Sequence, residues 1–305
     1  MTVTAEPGVD APRARWHAHP YNRSRYYRLA AATAPRLPRP ARTWLAGRLG
    51  RLLAARFPAE RAAVRRNLAR VQPGREPVWL DAAVEQVFRR FAVCFADLLS
   101  LNRGPRSDLW RHVTGDDVQR PTREALKLGR GCVSITAHLG NWELAGRLLA
   151  TVGPPVHVVM APEQDPAVGA LLERGAQPGV RFVRLTSPMV GVELVAALRR
   201  GEIVAFQLDR AMGGRGDEPV PFFGAPAKFP LGPFMMAAAA GARVVPAFCV
   251  LDPAGGYRLH VEEGLVVSRG AEVDALRAAV GVLERYVERY WDQWFNFYDI
   301  WEPRA

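Results

Sequence analysis

From Gly131 onward the chain alternates short apolar runs with amphipathic stretches, and this alternation restricts the fold more than any other feature of the sequence. Cys132–Ala137 has the texture of a buried strand. Asn141–Val152 places Leu144, Leu148 and Val152 on one helical face, and Gly153-Pro154-Pro155 stops it. Val156–Met160 is the next strand, Asp165-Pro166 opens a helix, Val180–Leu185 is a strand, and Ser187-Pro188 caps a helix closed by Gly201. A strand at Glu202–Gln207, a long loop, a helix at Leu231–Ala240, strands at Arg243–Val250 and Tyr257–Glu262, and a helix at Ala271–Trp291 complete the series. The pattern predicts an α/β fold with a mostly parallel central sheet flanked by helices and one antiparallel pair late in the chain.

Upstream of this region the texture is helical. Residues 22–57 form two helical stretches broken by Pro35, Pro38 and Pro40, followed by helices at Glu60–Val71 and Trp79–Leu101. The 305 residues therefore divide into a leader at 1–21, a helical basic segment at 22–105 and an α/β domain at 106–305. Charge is divided in the same way. Residues 1–75 hold sixteen arginines against Glu6, Asp10 and Glu60, a net +13 where the whole chain carries +11, so the remainder sums to −2. A basic arm on a near-neutral body predicts docking to a polyanion: anionic lipid, nucleic acid or an acidic carrier protein. In Arg42–Arg56, Leu45, Leu49 and Leu52 recur at helical spacing beside Trp44 and Leu53, with Arg42, Arg48, Arg51 and Arg56 between them. Such a helix can lie in a membrane surface, or it can pack its leucines on the body and leave the arginines in water.

Other classes are disfavoured. Cys94, Cys132 and Cys249 form no CxxC pair, which argues against a disulfide framework or a structural zinc site and for a reducing compartment. The longest apolar run, Phe234–Ala242, is about half of what a spanning helix needs. The first twenty residues lack the apolar centre of a secretory signal. Aromatic residues lie between the arginines of the arm (Trp16, Tyr21, Tyr26, Tyr27), but no nucleic-acid-binding motif follows, so a nucleic-acid partner is not expected.

The chemistry concentrates at His138-Leu139-Gly140-Asn141-Trp142-Glu143. A histidine at the carboxyl end of a buried strand stands where open α/β sheets place their ligands, and Gly140 permits a sharp turn into the helix. Five residues of regular helix would put Glu143 on another face, roughly 140° away, so the two can meet only if His138 precedes the helix. In that geometry the carboxylate would accept the Nδ1–H and make Nε2 a general base for a hydroxyl. The alternative is a histidine satisfied by local hydrogen bonds. No G-x-S-x-G elbow and no HExxH or His/Cys cluster offers a nucleophilic serine or a metal in its place.

A second constellation spans residues 207–233: Asp209-Arg210, the glycine-rich Gly213–Gly216, Phe222-Phe223-Gly224 and Lys228-Phe229. A long loop after a buried strand suits a binding site, with Phe222, Phe223 and Phe229 against an apolar chain and Arg210 and Lys228 against phosphate. Anchoring of the phenylalanines in the core is the competing reading.

The run ITAHLGNWELAG, followed by DRAMGGRGDEPVPFFGAPAKFPLGP and GARVVPAFCV, resembles the lysophospholipid acyltransferase superfamily, in particular the lipid A late acyltransferases, with likeness to the phosphatidylinositol mannoside acyltransferases. The resemblance extends from about residue 25 to the end, and His138 and Glu143 match the family's H-x4-D/E motif. It implies a glycerol-3-phosphate acyltransferase-like fold, His138 as base with Glu143 as partner, acyl-CoA or acidic acyl-carrier protein as donor, a lipid or glycolipid hydroxyl as acceptor, and neither metal nor other cofactor. Arg174 resembles the family's second-motif arginine, with Arg181 and Arg184 close by, and Asn141, Asp209, Arg210, Phe222, Phe223, Gly224 and Lys228 become candidate substrate-binding residues. Asp209-Arg210 in place of Asp-Gln points to the mannoside branch, whereas the upstream motif favours the lipid A branch. Peripheral attachment at the cytoplasmic face of the inner membrane follows as the expected location, with thioester hydrolysis as the rival activity.

Overall fold

The computed structural model describes residues 24–115, 117–160, 179–184, 188–211 and 216–302. Helices α1 (Ser24–Thr33), α2 (Arg39–Arg56), α3 (Pro58–Val71) and α4 (Pro77–Leu98) lead the chain. Proline in the first turn of α2, α3 and α4 presets the backbone angle where no amide donor is needed. After α5 (Arg106–Leu109) come β1 (Val113–Thr114), α6 (Arg120–Leu126), β2 (Cys132–Thr136), α7 (Trp142–Leu149), β3 (Val156–Met160) and β4 (Val180–Arg184). Then follow α8 (Pro188–Arg199), β5 (Ile203–Gln207), β6 (Asp217–Phe222), β7 (Ala225–Pro230), α9 (Gly232–Ala240), β8 (Arg243–Leu251), β9 (Tyr257–Val261) and α10 (Glu272–Arg289).

The central sheet runs β1-β9-β8-β2-β5-β3-β4, with every pairing parallel except β8 with β9. This is the expected α/β architecture. Successive residues of a strand face opposite sides. Val133, Ile135, Val204 and Phe206 join α8, α9 and α10 in one apolar core. Cys249, Leu251 and Tyr257 join α3, α4 and α7 in another. That second core continues across residue 105 from Val84 and Phe88 to Leu144 and Phe295, so the leading helices are built onto the sheet.

The stretch 207–233, read from sequence as a long loop, contains an antiparallel hairpin of β6 and β7. Pro219, Pro221, Pro226 and Pro230 argue against strands in a sequence reading, but a two-stranded ribbon has a free edge on each strand where a missing N–H costs nothing. Phe223, with φ +49, and Gly224, with φ +74, make its turn. β1 and α6 were too short to leave a periodic signal. The helix expected after Asp165-Pro166, and most of the glycine-rich run, lie outside the described residues.

Packing shows which face of α2 is covered and corrects the place of Arg42. Its inner face is Ala46, Gly47, Gly50 and Ala54, against α4. A Cβ at Gly50 would lie 2.6 Å from the Phe88 carbonyl oxygen, so glycine sets how closely the helices approach. The leucines do not pack on the body: Leu45, Leu49 and Leu52 are 42%, 50% and 66% exposed, and Trp44 beside them is exposed as well. Arg42, expected among the surface arginines, is buried and bonds Asp97 at 3.0 Å. Among the described residues no helix is long and apolar enough to cross a membrane.

Candidate active site

β2 and β5 are parallel neighbours in register, with Thr136 opposite Gln207. Two residues beyond those partners lie His138 and Asp209, side by side at the carboxyl ends of adjacent central strands. The ladder continues past the strand ends through Leu208 N to Thr136 O at 2.7 Å. His138 Nδ1 lies 2.8 Å from Asp209 Oδ1, and the His138 backbone N–H donates to both carboxylate oxygens at 3.0 Å. The carboxylate at Nδ1 is therefore Asp209 and not Glu143 as the motif spacing suggested. Both side chains are buried.

The chain around the histidine is held from three sides. Gly140, at φ +62, carries the turn out of β2, and its N–H donates to Gln293 O at 2.9 Å. A Cβ there would lie 2.2 Å from Cys249 O, so only glycine fits this close approach. Asn141 N donates to that same Cys249 oxygen at 2.7 Å, while its side chain caps α7 by accepting from Leu144 N at 3.1 Å. The tail after α10 closes the third side: Phe295 N donates to His138 O at 2.7 Å, Trp294 Nε1 to Asp209 Oδ2 at 3.0 Å, and Tyr298 Oη to Asp209 O at 2.9 Å. The Trp142 ring stands 5.0 Å from the His138 ring.

Glu143 does different work. One oxygen accepts from Arg147 Nε at 2.6 Å, the other from Asn102, which also exchanges amide hydrogen bonds with Asn141 at 2.8 and 3.0 Å. The carboxylate thus ties α7 to the loop after α4. Burial raises the Glu143 carboxyl above its ordinary value, against the opposing pull of Arg147, Asn102 and Arg103.

Electrostatics suit proton abstraction. Burial lowers the His138 pKa from 6.5, the Arg210 charge lowers it further, and together they outweigh the raising effect of Asp209. Burial pushes the Asp209 carboxyl up, but the His138 ring, its N–H groups and Arg210 outweigh that and hold it below its ordinary value. The pair is then carboxylate and neutral imidazole at neutral pH. Asp209 accepts from Nδ1–H, and the basic lone pair resides on Nε2.

The remaining sequence candidates fall in several places. Arg210 follows Asp209 beside the histidine. Phe222 and Phe229 are in the core: Phe222 stacks on Trp301 at 5.6 Å and meets Phe229 and Trp294 edge-on, which corrects the expectation that they face an apolar chain. Phe223 packs beside that core, and its N–H donates to Glu284. Gly224 and Lys228 are exposed on the hairpin. The Asn141 amide is engaged by the cap and by Asn102. Arg174 lies outside the described residues, and Arg184 sits on the edge strand β4, with β3 and β5 between it and β2. Sequence reasoning missed Asn102, Arg147, Trp294 and Tyr298. Only the last two left a signal, the aromatic density of residues 290–301.

A buried carboxylate–imidazole pair at the carboxyl edge of a mostly parallel sheet defines the class: an α/β protein with a histidine–carboxylate centre. The chain belongs to the bacterial lipid A biosynthesis acyltransferase family, whose sequence profile it matches over residues 26–302. It is 27% identical over 205 residues to a phosphatidylinositol mannoside acyltransferase of Mycolicibacterium smegmatis, covering 65% of this chain and 66% of that protein. It is 28% identical over 141 residues to one of Mycobacterium tuberculosis (strain CDC 1551 / Oshkosh), covering 45% of this chain and 44% of that protein. The matched regions thus span between about half and just under two thirds of those relatives' lengths.

Proposed function

We propose that the protein transfers a fatty acyl group from a thioester donor, acyl-CoA or acyl-carrier protein, to a hydroxyl of a lipid or glycolipid. The observation that carries this reading is the 2.8 Å contact of His138 Nδ1 with Asp209 in a chain of this family. Nε2 takes the proton of the acceptor hydroxyl as its oxygen attacks the thioester carbonyl. The carbon–sulfur bond breaks, and the imidazolium returns the proton to the leaving thiolate. Asp209 fixes the Nδ1–H tautomer and stabilises the imidazolium. Arg210, whose charge acts on both His138 and Asp209, is our candidate for contact with a donor or acceptor phosphate.

For the acceptor, the family supports a lipid A-precursor-like sugar hydroxyl. The similarity to phosphatidylinositol mannoside acyltransferases favours a second reading, a mannosylated phosphoinositide. The exposed leucines of α2, beside its arginines, support peripheral attachment to an anionic membrane, in our reading at the cytoplasmic face of the inner membrane. The test is acyl transfer by purified protein from a labelled thioester to each acceptor, with product lipids identified by mass spectrometry. Label appearing in lipid and absent with His138→Ala is the expected result. Label released only as free fatty acid at the same rate with and without acceptor would replace transfer by thioester hydrolysis.

A further inference from the structure

Beside the leucine face of α2 is a pocket of about 210 Å³ lined by Trp44, Gly47, Arg48, Arg51 and Arg89. We propose that this pocket binds the phosphate of an anionic phospholipid headgroup, a specific lipid site within the docking surface; it rests on the reading that α2 lies on a membrane.

Trp44, Arg48 and Arg51 follow one another at i, i+4 and i+7, so they form one stripe of α2, and Arg89 enters from α4. Gly47 opens the floor between the helices: a Cβ there would stand 3.2 Å from Arg89 Nε. The Arg48 guanidinium lies over the Trp44 ring at 5.3 Å, which fixes one wall. Against three guanidinium groups stands the Glu85 carboxylate, 3.6 Å from Arg51 and also 3.9 Å from Arg61. The excess is cationic, and planar guanidinium donors match phosphate oxygens in pairs.

Placement selects a lipid source. Leu45, Leu49 and Leu52, also at i, i+4 and i+7, form the adjoining stripe, rotated from the first by about 100°. Large apolar side chains face out while alanine and glycine face in, the reverse of a helix packed for water. With the leucines at the acyl boundary, the pocket stands at headgroup depth.

The test is co-sedimentation of the full chain with phosphatidylcholine vesicles containing phosphatidylglycerol, for wild type, Arg48→Gln/Arg51→Gln/Arg89→Gln and a control triple, Arg111→Gln/Arg277→Gln/Arg285→Gln, which removes equal charge elsewhere. Each basic group near such a surface is worth about fivefold in binding, so the pocket triple should lose about 10²-fold and the control far less. Wild type should also prefer phosphatidylglycerol over vesicles given equal charge by oleate, and the pocket triple should lose that preference. Circular dichroism melts of both triples exclude unfolding as the cause. Equal weakening by both triples, or no preference over oleate, overturns the pocket and leaves general electrostatic docking. Stronger binding of inorganic phosphate than of the vesicles would assign the pocket to a soluble phosphate, and a dimer in sedimentation velocity that Leu49→Glu dissolves would assign the face to a second copy; either overturns the proposal. Failure of wild type to bind any anionic vesicle would instead remove the docking reading beneath it.

Discussion

At the scale of residues, the exchange of partners at His138 decides how substitutions rank. Removing the base costs the full general-base contribution, about 10² to 10⁴-fold, so His138→Ala should abolish turnover. Asp209→Asn leaves the ring without its orienting anion, and kcat should fall by about 10²-fold or more, whereas Glu143→Gln, which loosens Asn102 and Arg147, should cost less. Steady-state kinetics of the two variants check the order, and a larger loss for Glu143→Gln would restore the motif's own carboxylate as the partner. The pH profile follows from the same charges. A base works deprotonated, so kcat/KM rises with pH through the free-enzyme pKa of His138, and the acid limb should lie below the ordinary 6.5. Arg210→Gln removes a charge that disfavours the imidazolium and should move that limb to higher pH. Residual activity of Asp209→Asn should show the limb at lower pH, because the group that stabilises the imidazolium is gone.

At the scale of elements, glycine and aromatic packing set what the secondary structure tolerates. Gly140→Ala places a Cβ in a left-handed turn and against a backbone carbonyl that cannot move aside, so it should cost at least about 2 kcal/mol in a denaturation series. The hairpin behaves as a plug in the core. Phe222→Ala should destabilise by about 3 to 5 kcal/mol while leaving acyl-length preference unchanged. Product analysis across a series of acyl chains tests the second half of that statement, and a shifted preference would return the hairpin to the donor site.

At the scale of the whole molecule, one buried ion cluster joins the leading helices to the sheet. Asp97 of α4 is fully buried, bonds Arg39 Nη2 at 2.7 Å and Arg42 Nη2 at 3.0 Å from α2, and accepts from Tyr257 Oη of β9 at 2.8 Å. Arg39 also reaches the Gly255 carbonyl in the turn before β9. Breaking such a cluster on one side strands the other charges without water, so Asp97→Asn should cost about 3 to 5 kcal/mol. Because α2 carries the exposed leucine face, the same variant should weaken vesicle binding, measured by co-sedimentation beside a thermal melt. A melt lowered with vesicle binding intact would mean that the helices dock on the membrane independently of the sheet.

Local pattern by itself determined much of this protein. Short, mostly apolar runs preceded by glycine or proline became β2, β3 and β5, and the i, i+3, i+4 faces became α3, α4, α7 and α10, because burial on a pleat or a helical stripe leaves a period in the sequence. His138 and Asp209 were each legible as candidates at the end of a strand. Their pairing was not, since it depends on β2 and β5 lying side by side in register, with the two residues seventy-one positions apart in the chain. Asn102, Trp294 and Tyr298 reach the site through similar long-range closures, which leave no spacing to read. The outward leucines of α2 and the inward phenylalanines of the hairpin carry the same lesson. An amphipathic or aromatic stretch announces that it has two faces, and only the neighbour against which it packs decides which face is covered.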